Sequence, residues 1–138
     1  MLKLYCYTDE TGQDTMGKLF LVSIVIAEKI NLELFRKEIF KIELKTKGRK
    51  KWTKTSDKKK ILFIEEVLRL KFLRGSLYYS IYENTTEYTP LVAVAISKAI
   101  YRKIEKIKWE YAANIIIDDL RKTDREIVRR ELKALNIQ

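Results

Sequence analysis

The chain has 138 residues, 46% hydrophobic, with 29 Lys and Arg against 19 Asp and Glu for a formal net charge of +10. That length suits one small domain with a single core, the apolar content excludes a disordered chain, and no apolar stretch is both long enough and free enough of charge to span a bilayer. The absence of histidine and the single cysteine exclude imidazole-held zinc and an intrachain disulfide, so any catalysis would rest on carboxylates, lysines, hydroxyls or an oxygen-held metal; the positive balance points to a polyanionic partner, nucleic acid first.

Leu2 to Thr8 alternates as a half-buried strand and starts straight after Met1, without the basic flank, apolar segment and cleavage site of a secretory signal, which predicts a cytoplasmic location. Cys6 alternates there with Leu2 and Leu4 and is expected to pack as a small hydrophobe. A turn-rich segment, Asp9 to Gly17, leads into Lys18 to Glu28, whose apolar run predicts a central strand antiparallel to the first. Asn31 should cap a helix with Leu32, Phe35, Ile39 and Ile42 on one face. Lys45 to Lys60 breaks this pattern, and a second helix is expected from Ser56-Asp57, using Ile61, Ile64 and Leu68 and stopping near Gly75.

Ser76 to Glu83 predicts a third strand, Leu77, Tyr79 and Ile81 alternating against Tyr78, Ser80 and Tyr82. Tyr78, Tyr82 and Tyr88 are expected to pack in the sheet rather than to serve as stacking platforms. Thr89-Pro90 marks a helix start, followed by the longest apolar stripe: Val92, Ile96, Ile100, Ile104 and Ile107. Ala112 to Asp118 should be the fourth strand, and Asn114 to Ile117 has the nearly continuous apolar pattern of a strand buried on both faces. Thr123-Asp124-Arg125-Glu126 reads as a capping box opening a last helix with Val128, Leu132 and Leu135 inward. The order predicts an α/β fold with an antiparallel amino-terminal pair and a parallel, right-handed β-α-β unit from Ser76 to Asp118.

Asp9 and Asp118 follow the first and last of these strands. If the strands are parallel neighbours, two like charges arrive side by side and require a proton or a cation between them. A hard divalent ion such as Mg²⁺ takes one or two carboxylates together with phosphate oxygens of a substrate, which points to phosphodiester chemistry. Each aspartate taken alone is also an ordinary strand-ending turn residue, and Asp119 is expected in solvent. The pair carries the metal expectation because open α/β sheets bind ligands at the carboxyl ends of their strands.

The pieces Tyr7-Thr8-Asp9-Glu10-Thr11-Gly12, the strand Phe20 to Ile26, Glu43-Leu44-Lys45 and Ile115-Ile116-Ile117-Asp118 resemble the prokaryotic family called domain of unknown function 3800, which is related to the ribonuclease H-like superfamily. The resemblance implies a single ribonuclease H-like domain over 1–138, a mixed sheet with covering helices, carrying a basic helical insertion at about 30–75. It implies a metal-dependent nuclease ancestry in which Asp9, Glu43 and Asp118 hold Mg²⁺ or Mn²⁺, Lys45 contacts phosphate or stabilises the leaving group, and Thr11 donates a hydrogen bond to phosphate. Glu43 also has a plain alternative, a solvated glutamate paired with a neighbouring lysine. The family's closing helix, with a Gln-Leu-Ala-Asp-like motif, has no counterpart here, nor do the final strand and helix of the ribonuclease H-like fold.

Nine basic residues and one acidic one lie between Lys45 and Lys60. Lys47, Arg49, Lys50, Lys51 and Lys54 form the candidate phosphate-binding set, and Trp52 among them is able to stack on a base or a sugar. Two functions are therefore in view: a Mg²⁺- or Mn²⁺-dependent nuclease, or a non-catalytic nucleic-acid-binding or oligomerising module with an incomplete site. The chain alone is expected to be a weak nuclease at most. A homodimer, meeting through the helix from Thr123 to Leu135 or through a strand edge, is expected to cover its open edge. Low glycine and proline with abundant Lys, Glu, Arg and Ile match a thermophilic prokaryotic source.

Overall fold

The computed structural model describes residues 1–105, 107, 110–118, 122–135 and 137. Its backbone divides into two compact units, one from Ile30 to Gly75 and the other formed by Met1–Lys29 with the chain from Ser76 onward.

The larger unit is built on a four-stranded mixed sheet in the order β3-β2-β1-β4, with β1 at Leu2–Thr11, β2 at Leu19–Glu28, β3 at Leu77–Glu83 and β4 at Tyr111–Ile117. β2 is antiparallel to β1, with Tyr7 opposite Val25, and to β3, with Leu21 opposite Ile81. β1 and β4 are parallel, in register from Leu2 opposite Tyr111 to Thr8 opposite Ile117. The β2 run is central, as its β-branched composition predicts. β3 and β4 point the same way, but they lie at opposite edges, and β4 takes its parallel partner from β1.

One face of the sheet is covered by α3 (Tyr88–Ile104) and α4 (Lys122–Ala134). The α3 stripe Val92, Ile96 and Ile100 is buried against Leu4, Cys6, Phe20, Val22, Ile24 and Ile26, and each fully buried aliphatic side chain contributes about 1.5–3 kcal/mol. Tyr82 and Tyr88 flank the Phe20 ring at centroid distances of 6.3 and 4.8 Å, the packing role expected of them. Burial pushes the Cys6 thiol up to about 11, so the sulfur stays protonated and inert at neutral pH.

Three local expectations are corrected. α3 begins at Tyr88 with Glu87 as its N-cap, so Pro90 is the third helical residue; its missing N–H still falls in the first turn, where amides lack intrahelical partners. The described part of α4 starts at Lys122, placing Thr123 inside the first turn, and Leu135 is exposed while Ile137 is buried. The Ile137 amide donates back to the Leu132 carbonyl at 3.0 Å, which folds Ile137 onto the core in place of Leu135. β4 is an edge strand; among the described residues its Ala113, Ile115 and Ile117 face packs against the core, and Ile116, on the opposite face, is 43% exposed although its sequence pattern reads as doubly buried. Leu77, Tyr79 and Ile81 of β3 are exposed on that same open face.

The smaller unit is a helical hairpin of α1 (Leu32–Thr46) and α2 (Asp57–Leu68) joined by a basic loop containing a short 3-10 turn, Trp52–Lys54. Phe35 meets Phe72 edge-on at 5.2 Å, and Ile42 and Leu73 are buried. Ile61, Ile64 and Leu68 are all exposed, whereas Phe63 and Val67 take the partly buried positions of α2. Apolar residues surround most of this helix, so periodicity does not single out one face; the contact of Phe63 with Trp52 selects it.

Candidate functional site

β1 and β4 deliver Asp9 and Asp118 to the same end of neighbouring strands. Their last paired residues are Thr8 and Ile117, and each aspartate is the next residue along its chain. β1 continues to Thr11 beside β2, with Asp9 opposite Ser23, so Asp9 lies within a strand rather than beyond one. Both aspartates are exposed. Strand alternation puts Asp9 on the open face of the sheet, opposite Leu4, Cys6 and Thr8, and Glu10 on the helix-covered side, where its Oε2 is withdrawn from solvent. The Asp9 carboxylate accepts the Glu10 amide at 3.0 Å, and the Ser23 hydroxyl donates to the Asp9 carbonyl at 3.2 Å.

The rest of the strand-end motif has a structural explanation. Gly12 has φ +102°, and a Cβ there would run into the Leu19 carbonyl oxygen. The Thr15 hydroxyl lies 2.7 Å from the Gly12 carbonyl and 2.8 Å from the Leu19 carbonyl and accepts the Leu19 amide at 3.0 Å, closing the turn between β1 and β2. Thr11 is exposed immediately before that turn.

Among the described residues, no group of three or more Asp, Glu or Cys side chains comes together in a form that could hold a metal. Asp9 and Asp118 by themselves match the donor chemistry of an ion that keeps several waters, as Mg²⁺ does. Asp119 lies outside the described residues.

In the helical hairpin, Glu43, Lys45 and Lys47 have definite partners. The Glu43 carboxylate pairs with Lys47 Nζ at 2.6 Å, and Lys45 Nζ pairs with Glu66 at 3.1 Å. Lys47 is a tie rather than a free cation: 10% exposed, it also reaches the Lys50 carbonyl at 3.2 Å and lies 5.7 Å from the Phe63 ring centroid. The loop is closed further by two buried hydroxyls, Thr46 donating to the Ile42 carbonyl and Thr55 to the Lys51 carbonyl. Arg49, Lys50, Lys51 and Lys54 are exposed, Arg49 with its guanidinium 5.7 Å from the Phe40 ring. Trp52 is 44% exposed, held edge-on by Phe63 at 5.9 Å with Lys60 Nζ 5.8 Å from its ring.

No protein-family model, curated protein or solved structure matches the chain. The resemblance to domain of unknown function 3800 therefore rests on its motif residues alone. Of these, Asp9 and Asp118 stand at corresponding positions of paired strands, while Glu43 and Lys45 have salt-bridge partners inside their own unit. Sequence reasoning missed the inward role of Lys47, for which its i, i+4 spacing from Glu43 was the available signal, and the support that Phe63 gives Trp52, which only packing reveals. No helix among the described residues is long and apolar enough to cross a membrane.

Proposed function

We propose that this chain is a nucleic-acid-binding module whose contact surface is the loop and helix start at 48–60 of the helical hairpin. The observation that carries the reading is Trp52 held half-exposed by Phe63 among the exposed cations Arg49, Lys50, Lys51 and Lys54. Phosphates neutralised by these cations release counterions, and the indole face stacks on a base without regard to its identity, so single-stranded DNA or RNA fits best. Lys47 and Thr55 hold the loop and do not touch the ligand. Trp52→Ala should weaken oligonucleotide binding by about 1–3 kcal/mol. Replacing Arg49, Lys50 and Lys51 together by Gln should flatten the logarithmic salt dependence by about 2, at roughly 0.7 per phosphate contact on a single strand. Unchanged affinity and slope in both variants would remove the loop from the interface.

A second reading, a metal-dependent nuclease of ribonuclease H-like fold, is favoured by the parallel pairing of β1 with β4, which brings Asp9 and Asp118 to one end of the sheet. Asp9 and Asp118 would hold Mg²⁺ or Mn²⁺, and the ion would activate water and stabilise the leaving oxygen. Mn²⁺ binding followed by electron paramagnetic resonance, together with cleavage of single- and double-stranded DNA and RNA, tests it against Asp9→Asn. Equal Mn²⁺ affinity in the variant and the parent chain would exclude Asp9 as a ligand.

A further inference from the structure

The outer side of the sheet edge carries a second surface, distinct in chemistry from the basic loop. Between β4 and α4 runs an open groove of about 960 Å³. Its floor is aliphatic: Ala113, Ile115 and Ile117 are half-buried there, and Val128, Leu132 and Ile137, themselves buried in the core, complete it. Along the α4 side stand four exposed cations, Lys122, Arg125, Arg129 and Lys133, against a single carboxylate, Glu126. No ion pair among the described residues engages any of the four. Arg125, Arg129 and Lys133 recur every four residues, so their Cα atoms rise by about 6 Å per step along one side of the groove.

We propose that this groove receives an acidic amphipathic helix of a partner protein. An apolar stripe at i, i+3, i+4 and i+7 would seat on the aliphatic floor, and Glu or Asp flanking that stripe at four-residue intervals has the same rise as the cations on α4. A second copy of this chain is the wrong occupant, because it would bring an identical cation row against this one. Nucleic acid matches the charge, but the floor offers neither an aromatic face for a base to stack on nor a side-chain hydrogen-bond partner. β4 has no partner strand on its outer side among the described residues.

The test uses the full chain and three fluorescein-labelled peptides of about 18 residues, five turns of helix. One has a leucine stripe flanked by glutamates, one has the same stripe flanked by lysines, and one has the composition of the first scrambled so that the stripe is lost. Anisotropy should show binding of the first peptide alone, weakened roughly tenfold or more by Arg125→Glu with Arg129→Glu. Methyl resonances of Ile115, Ile117, Val128 and Leu132 should shift on its addition, which locates the site without any variant. Binding of the scrambled peptide as tightly as the striped one, absence of those shifts, or displacement of the peptide by a single-stranded oligonucleotide that shifts the same methyls would each overturn the proposal.

Discussion

Gly12→Ala tests whether the glycine that follows the candidate ligand Asp9 is there for the fold or for the chemistry. Its φ of +102° lies where an L side chain is strained, at about 1–2 kcal/mol. The new methyl would also overlap the Leu19 carbonyl oxygen and stand 3.0 Å from the Leu19 carbonyl carbon and 3.1 Å from Phe20 Cα. Those are backbone atoms of β2, fixed by pairing with β1 and by the Thr15 hydroxyl, so relief requires a shift of the strand start, at a further cost of about 1–3 kcal/mol. The sum is about 2–5 kcal/mol. With a urea m-value near 2 kcal/mol/M the midpoint should fall by about 1–2.5 M, followed by hydrogen exchange at the β2 amides of Val22 and Ile24 so that the sheet unit is read separately. Gly48→Ala is the control: φ is +64°, but nothing lies within 4 Å of the added Cβ, so only the backbone strain of about 1–2 kcal/mol remains. Equal losses in the two variants would show that the close approach to Leu19 is not what requires glycine.

Cys6 holds its proton to a pH of about 11 in the folded state, against an ordinary value of 9.0, because burial disfavours the thiolate. Its contribution is complete below about pH 9 and is lost as pH rises to about 11, a decline of about 3 kcal/mol; Cys6→Val should flatten the stability–pH curve measured by urea denaturation over that window. Tyr78 and Tyr111, also raised by burial, act in the same direction in both proteins, so the difference isolates the thiol. Ile96→Ala, at a site with no exposed surface, should cost about 2–5 kcal/mol, whereas Ile64→Ala should stay within about 0.5 kcal/mol, and a large loss in the latter would mean that α2 buries its other face. The open sheet face, where Tyr79 is 69% and Ile81 55% exposed, presents apolar side chains to solvent, so light scattering should show a dimer that Tyr79→Asp with Ile81→Asp dissociates. A parent chain that is monomeric throughout would rule that interface out.

Local pattern carried the element order, because alternation in Leu2 to Thr8 and the three- and four-residue spacing from Val92 to Ile100 are properties of neighbouring residues that any tertiary arrangement must respect. The buried thiol of Cys6, the central position of β2 and the packing of Tyr82 and Tyr88 were legible for the same reason. Sheet order was not local. It made β4 an edge strand, and the packing of the core against its other face left Ile116 exposed, whose apolar neighbours alone suggest burial on both sides. Position among partners likewise decided that Ile64 faces solvent while Phe63 supports Trp52, and that Lys47 closes a loop instead of standing among the free cations. Asp9 and Asp118 were visible in the sequence as carboxylates beside strands; their common end of the sheet follows from the parallel pairing of β1 with β4, a hydrogen-bonding relation between segments about a hundred residues apart that no short-range periodicity encodes.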